Sequence, residues 1–152
     1  MKLADYTTVR LGGPARGFVQ AGTEDELIDA VRSADAVGEP LLILGGGSNL
    51  VVSDEGFDGT VIQVATRGVT RDGGPGVLTV AAGEEWDAVV ARTVAEGLAG
   101  LECLSGIPGR TGATPVQNVG AYGVEVADLL VDAARAGTRS PAGTSRRRAS
   151  SA

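Results

Sequence analysis

Apolar and polar positions along the chain alternate in a way that predicts two successive strand–helix cycles. Gly17–Ala21 reads as a short strand. Thr23-Glu24-Asp25-Glu26 then forms a capping box, with Thr23 as N-cap and Glu26 three residues on. Leu27, Ile28, Val31, Ala34 and Val37 follow at helical spacing, and Gly38 closes the helix. Leu41–Leu44 is an uninterrupted apolar run of strand length, the pattern of a strand buried on both faces. Val51-Val52 and Thr60–Val64 predict further strands, separated by a turn over Asp54–Gly59.

The second cycle opens with a predicted strand at Val77–Ala82. A helix follows, with Glu84 and Glu85 placed in its first turn, where the helix dipole favours acids. Trp86, Val89, Val90, Thr93 and Val94 mark its buried stripe, and Gly97 ends it. The whole pattern predicts a mixed α/β (α+β) domain in two small lobes.

From Ser105 to Gly123 the periodicity lapses. Glycines 106, 109, 112, 120 and 123 alternate with Ile107, Val116, Val119 and Tyr122, which are spaced to anchor the segment in a core. A long, irregular but anchored stretch of this kind reads as an ordered binding loop, with a plain solvent loop as the alternative.

Composition narrows the chemistry. The chain has 152 residues, 24 glycines, one cysteine and no histidine. That excludes an internal disulfide and every Ser-His, Cys-His or His-metal mechanism within this chain. No metal site is expected. No apolar run approaches a membrane span, and the first residues lack a signal peptide's apolar stretch, so the expected address is cytoplasmic. The net charge of −6 argues against nucleic acid as a partner.

That charge is unevenly spread. Residues 1–132 carry eight basic and all nineteen acidic residues, whereas 133–152 carry five arginines and no acid. The tail uses only Ala, Arg, Gly, Thr, Ser and Pro, so it has no apolar side chain larger than Ala or Pro with which to build a core. It is expected to be a disordered basic end, either a frame-shifted or otherwise foreign segment; a basic arm for nucleic acid or an acidic membrane is the other reading.

Two segments carry candidate binding chemistry. Gly45-Gly46-Gly47-Ser48-Asn49 directly follows the Leu41–Leu44 strand. Consecutive glycines let backbone N–H groups converge on an anion, and Ser48 and Asn49 add side-chain donors. The Gly-Lys-Ser/Thr ending of a P-loop is missing, and Val51-Val52 replaces the helix that a Rossmann fingerprint would open. A glycine-rich turn between strands is the competing reading. In the Ser105–Gly123 loop, Gln117 and Asn118 can read the polar edge of a ring, while Pro108, Ala113 and Tyr122 can cover its face. Together the two segments could grip the ends of a dinucleotide. Cys103, among Leu101, Glu102 and Leu104, reads as a buried small hydrophobe, and Trp86 reads as core. The Glu24–Glu26 and Glu84-Glu85 clusters read as helix starts. Arg10 and Arg16 flank a Leu11–Pro14 turn to which local physics assigns no purpose.

Three segments occur in order: Tyr6-Thr7-Thr8-Val9-Arg10-Leu11-Gly12-Gly13-Pro14-Ala15, Leu44–Asn49, and Ile107-Pro108-Gly109 leading to Pro115-Val116-Gln117-Asn118-Val119-Gly120-Ala121-Tyr122-Gly123. Over about residues 5–131 the chain resembles the UDP-N-acetylenolpyruvoylglucosamine reductase (UDP-N-acetylmuramate dehydrogenase) family. The resemblance implies a PCMH-type, vanillyl-alcohol-oxidase-like FAD-binding domain, here incomplete, made of two small α/β subdomains at about 1–68 and 69–132. It implies that Gly45, Gly46, Gly47, Ser48 and Asn49 cradle the FAD pyrophosphate. Ile107, Pro108 and Gly109, with Thr114, Pro115, Gln117, Asn118, Gly120, Ala121, Tyr122 and Gly123, would line the flavin and its ribityl arm.

The implied activity is an oxidoreductase step of peptidoglycan precursor synthesis, serving cell wall biogenesis, cell shape and cell division. NADPH is the co-substrate, and the UDP-sugar UDP-N-acetylglucosamine-enolpyruvate is reduced to UDP-N-acetylmuramate. The family's catalytic arginine, serine and glutamate have no counterpart in this chain, so no catalytic residue is assigned and the fragment alone is expected to be inactive. The departure from the family begins where the basic tail begins, as a reading-frame change after roughly Asp132 would produce. Arg110 stands where the family often has a smaller residue. No protein partner is implied. Another FAD oxidoreductase of this fold, or a non-catalytic nucleotide-binding module, is the alternative.

Overall fold

The structure, a computed structural model, describes residues 1–135 and 145–148. A parallel sheet organises the first lobe. Its strands are β1 (Ala15–Ala21), β2 (Leu41–Leu44) and β3 (Phe57–Val64), in the spatial order β1-β3-β2. Parallel strands need crossovers rather than tight turns. Helix α1 (Glu24–Ala36) makes the first, and the irregular stretch 45–56 makes the second.

The start of α1 follows from its sequence. Thr23 Oγ1 accepts the Glu26 N–H at 3.2 Å, and Glu26 Oε2 accepts the N–H groups of Thr23 at 3.2 Å and Gly22 at 2.8 Å. Gly38, at φ +66°, takes the left-handed turn that ends the helix. Val31 packs on Ala21 and Ile62 of the sheet, with Leu27 and Ala30 partly buried beside them, and Ala34 is buried on the same helix. Val37, expected on this stripe, is exposed, because the helix stops at Ala36 and Val37 leaves helical geometry.

Two strand expectations need correction. β2 is an edge strand with Ile43 exposed, not a strand buried on both faces, because β3 enters between it and β1. β3 therefore becomes the central strand, with Val61 and Ile62 fully buried. Val51-Val52 forms no strand. Its neighbour Ser53 instead accepts the Gly13 N–H at 2.8 Å, so this segment leans on the N-terminal turn. Leu3, Leu44 and Val61 form the core beneath that turn, joined by Tyr6, Phe18 and Phe57.

In the second lobe, β4 (Val69–Thr70) and β5 (Thr79–Val80) pair antiparallel. The strand expected over Val77–Ala82 thus shrinks to two residues, since β4 offers an edge only that long. Helix α2 (Trp86–Ala95) begins later than expected. Glu84 turns back to accept the Gly68 N–H at 2.7 Å, and Glu85 occupies the N-cap, leaving Asp87 as the acid of the first turn. Trp86, Val89, Val90 and Thr93 are buried as expected, but Val94 faces solvent. Trp86 and Val90 form a second core with Leu104 and Val126. The indole N–H of Trp86 donates to the Leu104 carbonyl at 3.0 Å, so its one polar atom is satisfied inside that core.

The Ser105–Gly123 stretch resolves into short pieces: a 3-10 turn at Thr111–Ala113, helix α3 (Thr114–Gln117), and a hairpin of β6 (Gly120–Ala121) and β7 (Val124–Glu125). Tyr122 and Gly123, at φ +55° and +81°, form the two-residue turn, as a type I′ hairpin requires. Only two of the four expected anchors reach the core. Ile107 and Val119 pack against it, whereas Val116 and Tyr122 are 83% and 92% exposed. Cys103 is half-buried rather than buried. After α4 (Val126–Leu129), β8 (Asp132–Arg135) pairs antiparallel with β9 (Ser145–Arg148). The expectation of disorder over 133–152 therefore meets a two-stranded ribbon at these positions, and residues 136–144 and 149–152 lie outside the described residues.

Candidate functional site

The Gly45–Asn49 loop leaves the carboxyl end of β2, the edge where parallel sheets of α/β proteins bind their ligands. Its conformation is held from outside the sheet. Gly47 adopts φ +69°, and its carbonyl accepts the Thr8 N–H at 3.1 Å. A Cβ at Gly47 would stand 1.9 Å from the Tyr6 carbonyl oxygen, so only glycine fits. The Tyr6–Thr8 segment therefore presses the loop into shape.

The opposite wall comes from the second lobe. Gly109 donates no side chain, and its carbonyl accepts the Trp86 N–H at 3.1 Å. The Thr111 N–H donates to the Glu84 carbonyl at 2.8 Å. Asp87 Oδ1 accepts the Gly106 N–H at 2.7 Å and the Ser105 hydroxyl at 2.9 Å. These bonds tie the Ser105–Thr111 segment to the start of α2. The Gly106 N–H, and then the Ser105 hydroxyl, hold the Asp87 carboxyl below its ordinary pKa. For Glu84 the Gly68 N–H does the same, aided by Arg67.

Between the walls lies a cleft of about 270 Å³. Thr8, Gly46 and Ser48 line it from the first lobe, and Glu85, Asp87 and Gly106–Arg110 from the second. Ser48 Oγ donates to the Pro108 carbonyl at 3.3 Å, bridging the two sides. Consecutive glycines facing a glycine leave backbone groups open to an incoming anion.

The structure sorts the sequence-derived residues into two groups. Gly46, Ser48, Ile107, Pro108 and Gly109 line the cleft. Gly45 stands behind it, beside Arg110; Gly47 is buried in the loop's support and Asn49 is exposed. Thr114, Pro115, Gln117, Asn118, Gly120, Ala121, Tyr122 and Gly123 are not among its walls. Thr114 is buried, with its hydroxyl donating to the Thr111 carbonyl at 2.8 Å. Gln117 is exposed at the end of α3. Asn118 is committed to the protein itself: Nδ2 donates to Glu125 at 2.7 Å, and Oδ1 accepts the Ala127 N–H at 3.1 Å.

Thr8, Glu85, Asp87 and Arg110 are cleft residues that sequence reasoning did not assign. The acids were hidden among helix-start residues. Arg110 had a signal, since a cation directly after Ile107-Pro108-Gly109 stands beside the segment expected to hold the cofactor.

A family model described as an FAD binding domain matches residues 15–136, which takes in the sheet and every residue lining the cleft except Thr8. The chain belongs to this FAD-binding domain family. The mixed α/β FAD-binding fold expected from the sequence is the one found. Over 132 residues the chain is 70% identical to the UDP-N-acetylenolpyruvoylglucosamine reductase of Saccharopolyspora erythraea, covering 85% of this chain and 36% of that protein. It is 63% identical over 130 residues to the reductase of the same name from Nocardia farcinica, covering 86% and 33%. The crystal structure of UDP-N-acetylenolpyruvylglucosamine reductase from Thermus caldophilus superposes with a TM-score of 0.71 at 36% identity, over 88% of this chain and 47% of that one. The reductase resemblance read from three motifs is thereby borne out. The chain spans about a third of the length of the curated relatives it matches.

Proposed function

We propose that this chain is the FAD-holding part of a UDP-N-acetylenolpyruvoylglucosamine reductase, with the cofactor's pyrophosphate seated between Gly45–Ser48 and Ile107–Arg110. The observation that carries this is the glycine-to-glycine approach of the two walls at the carboxyl edge of a parallel sheet. A Cβ on Gly46 would lie 3.2 Å from the Gly109 Cα, so a side chain there would press on the opposite wall and narrow the space where backbone N–H groups would meet an anion. The residues present fit the group. Arg110 adds a buried guanidinium nitrogen without a hydrogen-bond partner beside the same glycines.

Bound FAD would supply hydride transfer between NADPH and an enolpyruvyl UDP-sugar. The chain's own residues would bind and orient. Gly46 and Ser48 would present backbone N–H donors, with Gly47 shaping the loop behind them and Asn49 extending them at the rim. Ile107 and Pro108 give the cleft an apolar side. Thr114, Pro115, Gln117, Asn118 and Gly120–Gly123 belong, on this reading, to a flavin-facing surface beyond the cleft. The exposure of Gln117 and Tyr122 leaves both free for that role. We place the domain at 1–132, with lobes at about 1–68 and 69–132; separate core clusters around Val61 and Trp86 support the division. The arginine-rich composition of 133–152 sets it apart as a foreign end. A cytoplasmic address accompanies a nucleotide-sugar substrate, and no helix among the described residues is long and apolar enough to cross a membrane.

The test is a flavin-fluorescence titration of the purified chain with FAD. Saturable quenching is expected, with FAD preferred over riboflavin because the pyrophosphate supplies the main contacts. Absence of saturable FAD binding overturns the reading.

A further inference from the structure

We propose that Arg110 is a phosphate ligand held in reserve by Glu85, so that a nucleotide entering the cleft takes the guanidinium over from the carboxylate. This rests on the FAD reading above. Arg110 Nη1 lies 2.9 Å from Glu85 Oε1, yet the nitrogen is buried and makes no hydrogen bond. Two opposite charges touch, but the N–H is not aimed at the oxygen. Such a contact keeps the Coulomb attraction and forgoes the directed bond that makes arginine pairs strong.

The two partners are unequally fixed. The Arg110 stem lies along the glycine loop, its Cγ 3.7 Å from a Cβ built on Gly45 and 3.6 Å from one built on Gly46. Its side chain is 21% exposed, against 66% for Glu85. Glu85 is the N-cap residue of α2, but its side chain caps nothing, so turning away to water would cost it no helix bond. The carboxylate can leave, whereas the guanidinium is confined to the cleft wall.

Charge makes the exchange necessary. Among the described residues lining the cleft, Glu85 and Asp87 are anionic and Arg110 alone is cationic. A pyrophosphate seated at Gly46 and Ser48 would be repelled by both acids unless Arg110 met it. The planar fork of arginine suits two phosphate oxygens better than one misaligned carboxylate oxygen. Asp87 is engaged with Ser105 and Gly106, which leaves Glu85 as the partner that gives way.

FAD affinity of the 152-residue chain, read by flavin fluorescence, tests the exchange in three proteins: the native sequence, Glu85→Gln and Arg110→Gln. Inorganic pyrophosphate serves as a competing probe. Removing the competing carboxylate should tighten FAD binding about threefold to tenfold, and removing the guanidinium should weaken it about tenfold or more, the worth of one charged hydrogen bond. Pyrophosphate should displace FAD more readily from Glu85→Gln than from the native chain. Salt should weaken FAD binding less in Arg110→Gln than in the native chain. Tighter binding by Glu85→Gln cannot arise from misfolding. Unchanged or weaker FAD binding by that variant, while the native chain binds, overturns the exchange and leaves the FAD reading standing. A native chain that binds no FAD overturns both.

Discussion

Gly46 and Gly109 meet across the cleft, close enough that a Cβ on Gly46 would stand 3.2 Å from the Gly109 Cα and 3.4 Å from its carbonyl carbon. Neither glycine touches the other in sequence. One follows the edge strand β2 of the first lobe, and the other is held by the backbone of Trp86 in the second. Their approach converts two ordinary turns into opposed walls.

Substituting the two neighbouring loop glycines should therefore separate binding from stability. In Gly46→Ala the methyl group meets backbone that can give by tenths of an ångström. The fold should survive with about 1 kcal/mol lost, while FAD affinity drops about tenfold as the cleft narrows. Gly47→Ala places its methyl group 1.9 Å from the Tyr6 carbonyl oxygen at φ +69°. That variant should lose about 3 kcal/mol or more, or fail to fold. Urea unfolding followed by FAD titration checks both; equal stability of the two variants would contradict this assignment.

Asn118 and Gln117 look alike in the sequence but should behave differently. Asn118 takes φ +45° and bonds Glu125 and the Ala127 N–H, whereas Gln117 is exposed with no hydrogen bond from its side chain. Asn118→Ala should destabilise by about 1 kcal/mol, since it removes two exposed hydrogen bonds and puts alanine in a left-handed backbone position that asparagine tolerates better. Gln117→Ala should change stability by less than about 0.5 kcal/mol, as surface substitutions do. Any effect of Gln117→Ala should fall on flavin binding instead. Thermal unfolding of the pair decides.

Trp86 is the chain's single tryptophan and connects the second core to the cleft. Its indole bonds Leu104 and its backbone N–H bonds Gly109. Trp86→Phe should cost about 2–4 kcal/mol, combining a cavity with an unpaired Leu104 carbonyl. In the native chain its emission should be blue-shifted and should move to the red on unfolding. A solvent-like emission maximum in the folded protein would contradict the buried placement.

The pH dependence should lie on the acid side. Glu39, Asp72, Glu84, Asp87, Glu96 and Glu102 all have pKa values lowered by hydrogen bonds or ion pairs. A lowered carboxyl contributes stability above its unfolded pKa, and that contribution is lost as pH falls through the folded value. The ordinary values are 3.8 for Asp and 4.5 for Glu. Melting temperature should therefore be level from about pH 5.5 to 8 and should fall below pH 4.5. With no histidine, no step is expected near pH 6 to 7. Glu84→Gln should flatten part of the acid decline; a decline unchanged by that substitution would show that the Gly68 bond contributes nothing.

The sequence by itself determined the elements whose signals are local. Thr23 and Glu26 start α1 through bonds to their own neighbours, and Gly38 ends it through its own φ. The glycine run after Leu44 was legible for the same reason, because conformational freedom belongs to the residue. Helix α2 was legible as a stripe, though not in its first turn, since Glu84 turns away to Gly68, a partner sixteen residues distant. Tertiary structure decided the rest. β2 became an edge because β3 enters between it and β1, a choice of strand order that no window of sequence contains. It also decided which glycines oppose each other and committed Asn118 to Glu125 and Ala127. Above all it set Arg110 beside Glu85 and the loop at Gly45 and Gly46. Those relationships depend on the packing of two lobes, and packing is fixed by contacts between residues far apart along the chain.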